Sequence, residues 1–257
     1  MRNIVDLTGR TIVVTGAAQG IGRACCNLIV ELGGNVVAVD LQADALQSLA
    51  EEAGADHVLP LAGSVADEEF AESAVGAAVE RFGAVHGLVN GAGIVRAAMI
   101  EKMTLDQWRQ VIDIHLTGSF IWIQKVGRHM IARHRDGDDT GGSIINISSV
   151  AGKRGSIGQI NYAAAKGGML AMTMSVVREW SQYLIRCNTV YFGPVITPMT
   201  ETVRQPKFND KLMAQVPMNR WAEPEEVVKT LAFLLSDASS FTTGQHYGVD
   251  GGQHLSS

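Results

Sequence analysis

Three cysteines in 257 residues are too few, and odd in number, for a disulfide framework. Cys25 and Cys26 are adjacent and Cys187 lies far from both. They read as reduced core residues of a cytoplasmic protein. Positive charge is not in excess either. The formal net charge is −5, whereas a nucleic-acid surface needs a basic face to neutralise phosphates. No stretch reaches the ~18 uncharged apolar residues of a membrane helix. The leader Met1-Arg2-Asn3-Ile4-Val5-Asp6-Leu7 carries an acid early and no long apolar segment, which speaks against a signal peptide. Internal repeats and linker-like breaks are missing, and the polar loop at 135–142 is too short to separate domains. Charged residues are sparse, at 18% against 46% hydrophobic, which favours a sizeable core over disorder. The expectation is a single domain over residues 1–257 with neither nucleic acid nor membrane as partner.

What the chain does have is alternation. Short apolar, β-branched runs are expected as strands at Thr11–Thr15, Asn35–Asp40, His57–Leu61, Val85–Asn90, Ser143–Ile147, Ile185–Tyr191 and Gln245–Val249. Helical segments separate them: Gly20–Gly33, Ala43–Gly54, Asp67–Phe82, a long one from Thr104 to about His134, and Asn161–Tyr183. Thr104, followed by Asp106 and Gln107, is a good helix cap. Pro224, with Glu225 and Glu226 after it, suits the first turn of another helix. This order predicts an α/β fold: a doubly wound parallel sheet of about seven strands with helices on both faces.

Thr15-Gly16-Ala17-Ala18-Gln19-Gly20-Ile21-Gly22 follows the first strand and opens the first helix. Glycines in that context permit a tight turn and close backbone approach, and the helix start offers free N–H groups to a pyrophosphate. Gly16, Gln19, Gly20, Ile21 and Gly22 are therefore candidate cofactor residues. Asp40 ends the second strand, 18 residues after Gly22. A carboxylate there can accept both ribose hydroxyls of NAD and would repel a 2′-phosphate. Arg23 is the one cation nearby. NAD is the expected cofactor. Asn90-Gly91-Ala92-Gly93 follows the fourth strand, where small residues let backbone pass close to a cofactor and Asn90 can tie neighbouring strands together.

Tyr162 and Lys166 stand four residues apart, and Ser149 precedes the tyrosine by thirteen. A phenol with a usual pKa of ~10 is a poor base near neutrality. A lysine one helical turn on presents its charge on the same face and favours the phenolate. Ser149 can hold a substrate oxygen; Ser148 would face the other way in an extended stretch. Such a set removes a proton from an alcohol, or returns it to a carbonyl, while a nicotinamide carries the hydride. No metal is required.

From Thr11 to Gly252 the chain resembles the short-chain dehydrogenases/reductases. The matching pieces are Thr15 to Gly22, Asp40, Asn90 to Gly93, Ser149, Tyr162, Lys166, Gly193-Pro194-Val195-Ile196-Thr197 and Val249-Asp250-Gly251-Gly252. The stretch Gly158 to Lys166 looks like the branch of 3-oxoacyl-thioester reductases and 3-hydroxyacyl-CoA dehydrogenases. The resemblance implies a Rossmann fold and a homotetramer. It places Gly193, Val195 and Thr197 by the nicotinamide, with Val195 and Thr197 on its carboxamide. Tyr162 and Lys166 would also meet the nicotinamide ribose. Three departures stand out. His115 occupies the family's usual asparagine position, whose backbone carbonyl serves a proton relay; it either adds a titrating catalytic group or is a structural histidine. Ser64-Val65 replaces the Asp-Val that meets the adenine. Phe192 replaces proline and brings an aromatic near the nicotinamide.

Residues 197–217 follow the sixth strand and would form a substrate lid, with Met199, Val203, Phe208, Leu212 and Met213 as its apolar side chains. Arg204, Lys207, Lys211 and Arg154 are candidate cations for an anionic substrate. The expected activity interconverts a secondary alcohol and a ketone, with a 3-hydroxyacyl thioester first and a small cyclic, aryl or polyol alcohol as the alternative. A non-catalytic NAD-binding sensor or scaffold is the rival class.

Overall fold

The computed structural model describes residues 3–255. Met1, Arg2, Ser256 and Ser257 lie outside the described residues. Seven strands form one sheet: β1 (Thr11–Thr15), β2 (Asn35–Asp40), β3 (Val58–Ala62), β4 (Gly87–Asn90), β5 (Gly142–Ser149), β6 (Ile185–Phe192) and β7 (His246–Val249). Their order is β3-β2-β1-β4-β5-β6-β7, and every pairing is parallel. The runs are apolar throughout because both faces are covered. Within β1, Ile12 and Val14 face one core cluster and Val13 the other.

Helices α1 (Gly20–Glu31), α2 (Ala43–Ala53) and α3 (Glu68–Phe82) fill the first crossovers. Next come α4 (Leu105–Ile112), α5 (Gly118–Arg135), α6 (Val150–Arg154) and α7 (Ile160–Trp180). The last three are α8 (Pro206–Met213), α9 (Pro224–Val227) and α10 (Lys229–Leu235). One core joins the sheet to α1, α2, α9 and α10 through Leu7, Ile29, Leu46 and Leu231. The other joins it to α3, α5 and α7 through Ala74, Trp122, Met130 and Val176. Each fully buried large apolar side chain contributes about 1.5–3 kcal/mol. Among the described residues, no helix is long and apolar enough to cross a membrane.

Successive connections run in opposite directions from β1. The crevice opens between β1 and β4, where Thr15 pairs with Asn90 at the carboxyl ends. Two differences from the sequence expectation bear on the site. The helix expected from Thr104 to His134 is capped by Thr104 as anticipated, with a reciprocal bond from Gln107. It is not uniform, however: Asp113–Thr117 form a π-turn between α4 and α5. The fifth strand runs two residues beyond Ile147, so Ser149 is its last residue and α6 starts at once after it.

Candidate active site

Three glycines shape the turn after β1 because side chains would not fit. A Cβ on Gly22 would lie 2.0 Å from the Gly16 carbonyl oxygen, and one on Gly16 2.9 Å from the Ala92 backbone. Gly16 and Gly20 also have positive φ, at 74° and 54°. Gln19 takes the cap position of α1 but its side chain caps nothing. The N–H groups of the first helical turn thus remain available to an anion. Thr15 ties this turn to the loop after β4: its Oγ1 accepts from Gly91 N at 3.1 Å and Ala92 N at 3.2 Å. Sequence reasoning did not single out Thr15 as a builder of the site, since only the β1–β4 pairing reveals it.

Asp40 is placed at the rim of the same crevice. Its Oδ2 accepts from Ala18 N at 3.2 Å, and Oδ1 from Leu41 N at 2.8 Å and Gln42 N at 3.2 Å. Arg23 is occupied by Glu52 (2.7 Å), Ser48 and the Ala45 carbonyl, with a longer bond to the Ala18 carbonyl at 3.4 Å. Ser64 bonds to Ala66 N at 3.3 Å, and Val65 beside it is buried. Asn90 reaches Asn146 across β4 and β5 at 2.9 Å, as its position suggested. Asn146 continues to Thr173 on α7, and Thr173 to Thr189 on β6. This buried chain locks the strand ends to the helix that carries Tyr162.

The candidate catalytic set converges at the carboxyl end of β5. Ser149 lies next to Tyr162, and its hydroxyl favours the phenolate. Ser148 points the other way and donates to the Lys166 carbonyl at 2.7 Å. Lys166, 3% exposed, donates from Nζ to the Ile147 carbonyl at 2.7 Å and lies 5.8 Å from the Tyr162 ring centre. Burial pushes its ammonium down to about 7. Burial also raises the Tyr162 phenol, while the Ser149 hydroxyl pulls it back. The simple expectation was a fully charged lysine depressing the tyrosine. In the protein both groups are desolvated, and each neutral form gains.

His115 sits at the centre of the π-turn and is 1% exposed. Its Nε2 lies 2.9 Å from Ile94 N and 2.8 Å from Ile94 O, while Nδ1 has no partner. Its ring meets Tyr162 edge to face at 5.2 Å. Burial first, then the Lys166 charge, pushes the imidazole down to about 3. The neutral imidazole is the form this environment favours near neutral pH. Gly93 makes room for it, since a Cβ there would lie 2.3 Å from His115 Cε1. The His115 carbonyl accepts from Ser119 Oγ at 2.7 Å.

On the far side, Gly193 passes Asp250 so closely that a Cβ would sit 2.7 Å from the Asp250 Cα. Val195 is buried and bridges to Ala222. Thr197 Cγ2 lies 3.1 Å from where a Cβ on Gly20 would be. The start of the 197–217 segment, the expected lid, therefore touches the glycine turn after β1. Phe192 is 5% exposed in the core cluster with Val190 and Val195. The lid consists of two short 3-10 turns, Pro198–Thr200 and Thr202–Arg204, and then α8. Met199, Val203 and Phe208 are exposed on it, and Met213 is buried.

The sequence profile described as enoyl-(acyl carrier protein) reductase matches residues 16–254. The chain belongs to the short-chain dehydrogenase/reductase family. It is 39% identical to a 3-oxoacyl-(acyl-carrier-protein) reductase of Thermotoga maritima, over 96% of this chain and 98% of that one. It is 38% identical to the trans-4-hydroxycyclohexanecarboxylate dehydrogenase of Sinomonas cyclohexanicum, over 95% and 92%. A short-chain dehydrogenase/reductase structure from Brucella melitensis superposes with a TM-score of 0.89 at 33% identity, covering 96% of this chain and 98% of that chain. The chain is thus an oxidoreductase of this family, and the family's nicotinamide cofactor fits the glycine cradle and the open helix start.

Proposed function

We propose that the protein is an NAD-dependent oxidoreductase that interconverts a secondary alcohol and a ketone through Ser149, Tyr162 and Lys166. The observation that carries this reading is the junction of β5 with α7. It brings Ser149, at the end of β5, together with Tyr162, and buries Lys166 Nζ 5.8 Å from the phenol ring centre. When bound, the nicotinamide supplies the hydride chemistry. Gly16, Gln19, Gly20, Ile21 and Gly22 would hold its phosphates. Asp40 would take the adenosine ribose, and Ser64 and Val65 the adenine. Asn90 to Gly93 would floor the crevice, and Gly193, Val195 and Thr197 would flank the nicotinamide. Ser149 holds the substrate oxygen, and Tyr162 takes its proton on oxidation and returns it on reduction. Lys166 stabilises the phenolate once it forms. His115, neutral and in ring contact, keeps Tyr162 in place.

The first substrate class is a 3-hydroxyacyl or 3-oxoacyl thioester, supported by the stretch from Gly158 to Lys166 and by the Thermotoga relative. The second is a cyclic hydroxycarboxylate, supported by the Sinomonas relative. We take the protein to act in the cytoplasm as a homotetramer. Exposed Phe120 and Met174, from α5 and α7, are the apolar side chains suited to a second copy. Replacement of Tyr162 by Phe is the test of the chemistry. Turnover should fall by about 10²-fold or more, with NADH binding by calorimetry retained. Undiminished turnover in that variant would remove Tyr162 from the reaction.

A further inference from the structure

Four cations near the lid are candidates for an anionic ligand, and the structure separates one from the rest. Arg154 is occupied by the Gln253 carbonyl and by Gln215. Lys207 lies over the exposed Phe208 ring at 5.4 Å, and Lys211 is on the outer face of α8. Arg204 is half-buried, yet its Nε is fully covered and has no hydrogen-bond partner. Its one bond runs from Nη2 to the Thr197 carbonyl at 3.4 Å, longer than the usual range of about 2.7–3.2 Å. That carbonyl is already served by Thr200 N at 3.1 Å and Thr200 Oγ1 at 3.0 Å. Among the described residues no carboxylate pairs with Arg204, whereas Arg10, Arg23, Arg81, Arg133 and Arg220 each have one. A buried donor on a cation is costly to leave unpaired.

Its position says what would pair with it. Arg204 ends the second 3-10 turn of the lid and reaches back to Thr197, the residue that abuts Gly20 of the phosphate turn. Nε and Nη2 form the side-on edge of the guanidinium, which matches two oxygens of one carboxylate or phosphate. We propose that Arg204 is an anion clamp of the lid, taking an anionic oxygen pair at the seam between the lid and the phosphate turn. Two sources carry that chemistry: the pyrophosphate of the dinucleotide and a carboxylate on the substrate. The inference rests on the dinucleotide-binding reading above.

Calorimetric titrations of wild type, Arg204→Gln and Arg204→Lys test it. The ligands are NADH, ADP-ribose, AMP and, on the NADH-saturated protein, cyclohexanecarboxylate. If the pyrophosphate is the partner, Arg204→Gln weakens NADH and ADP-ribose by about tenfold or more and leaves AMP unchanged. If a carboxylate is the partner, only cyclohexanecarboxylate weakens. In either case Arg204→Lys recovers part of the loss, since it keeps the charge without the fork. The melting temperature of the ligand-free Arg204→Gln variant should not fall, because no strong bond is removed. Unchanged affinity for all four ligands overturns the inference. So does equal weakening of all, AMP included, which is lid distortion. Wild type that binds no NADH would instead sink the dinucleotide reading itself.

Discussion

Burial decides the protonation states in this site. His115 shows it most clearly, because a charged neighbour and a dry environment act in the same direction. The folded imidazole accepts a proton only near about 3, against 6.5 in the open chain. Below pH 6.5, protons therefore bind the unfolded chain in preference. This group costs nothing above pH 6.5, and stability falls as pH drops towards 3, by up to about 1.4 kcal/mol per pH unit. His115→Asn should flatten that part of the acid slope in denaturant titrations run from neutral to acid pH. Identical slopes in the two proteins would show that His115 is hydrated or paired in solution. His86, pushed down to about 4 by burial and by Arg133 and Arg10, adds a slope that the variant keeps. At this scale the sequence was informative wherever chemistry depends on local spacing. Tyr162, Lys166 and Ser149 are candidates by their separations, and Asp40 by its place at a strand end. The protonation of Lys166 and His115 could not be read this way, because it depends on what packs around them from other elements.

Elements set the site by where they stop. The β5 strand ends on Ser149, and α6 begins immediately, with the Ser149 hydroxyl accepting from Ala151 N at 3.2 Å. The α4–π–α5 segment stays continuous through the π-turn, which widens the helix where His115 must reach Ile94. Its anchor is the capping box at Thr104, where Gln107 N reaches the threonine hydroxyl at 3.2 Å and Thr104 N reaches Gln107 Oε1 at 2.9 Å. Thr104→Ala should cost about 1 kcal/mol and lower the melting temperature by about 2–4 °C. Thermal unfolding followed by circular dichroism measures this, and an unchanged midpoint would mean the box carries no load in solution. The cap was legible from Thr104 and Gln107 alone. The π-turn was not, since nothing local distinguishes Asp113–Thr117 from ordinary helix. Its tertiary partners are Gly93, without a side chain, and Ile94.

At the scale of the molecule, the order β3-β2-β1-β4-β5-β6-β7 brings residues separated by more than a hundred positions to one edge. Gly16, Ala92, Ser149 and Thr197 meet there because β1, β4, β5 and β6 all end on the same side. Strand–helix alternation was enough to anticipate a parallel, doubly covered sheet. The contacts that close the crevice, Thr15 under Gly91 and Thr197 against Gly20, were hidden because they join elements distant in sequence. The proposed preference for NAD rests on Asp40, a carboxylate at the β2 end, with Arg23 paired to Glu52. The most direct measurement is reduced-nicotinamide formation by the wild-type protein with a panel of secondary alcohols, including 3-hydroxyacyl thioesters, run in parallel with NAD and NADP. The account predicts turnover with a higher kcat/KM for NAD than for NADP. A higher kcat/KM for NADP would contradict the role assigned to Asp40, and no turnover with either, despite NAD binding, would contradict the catalytic reading and leave a dinucleotide sensor.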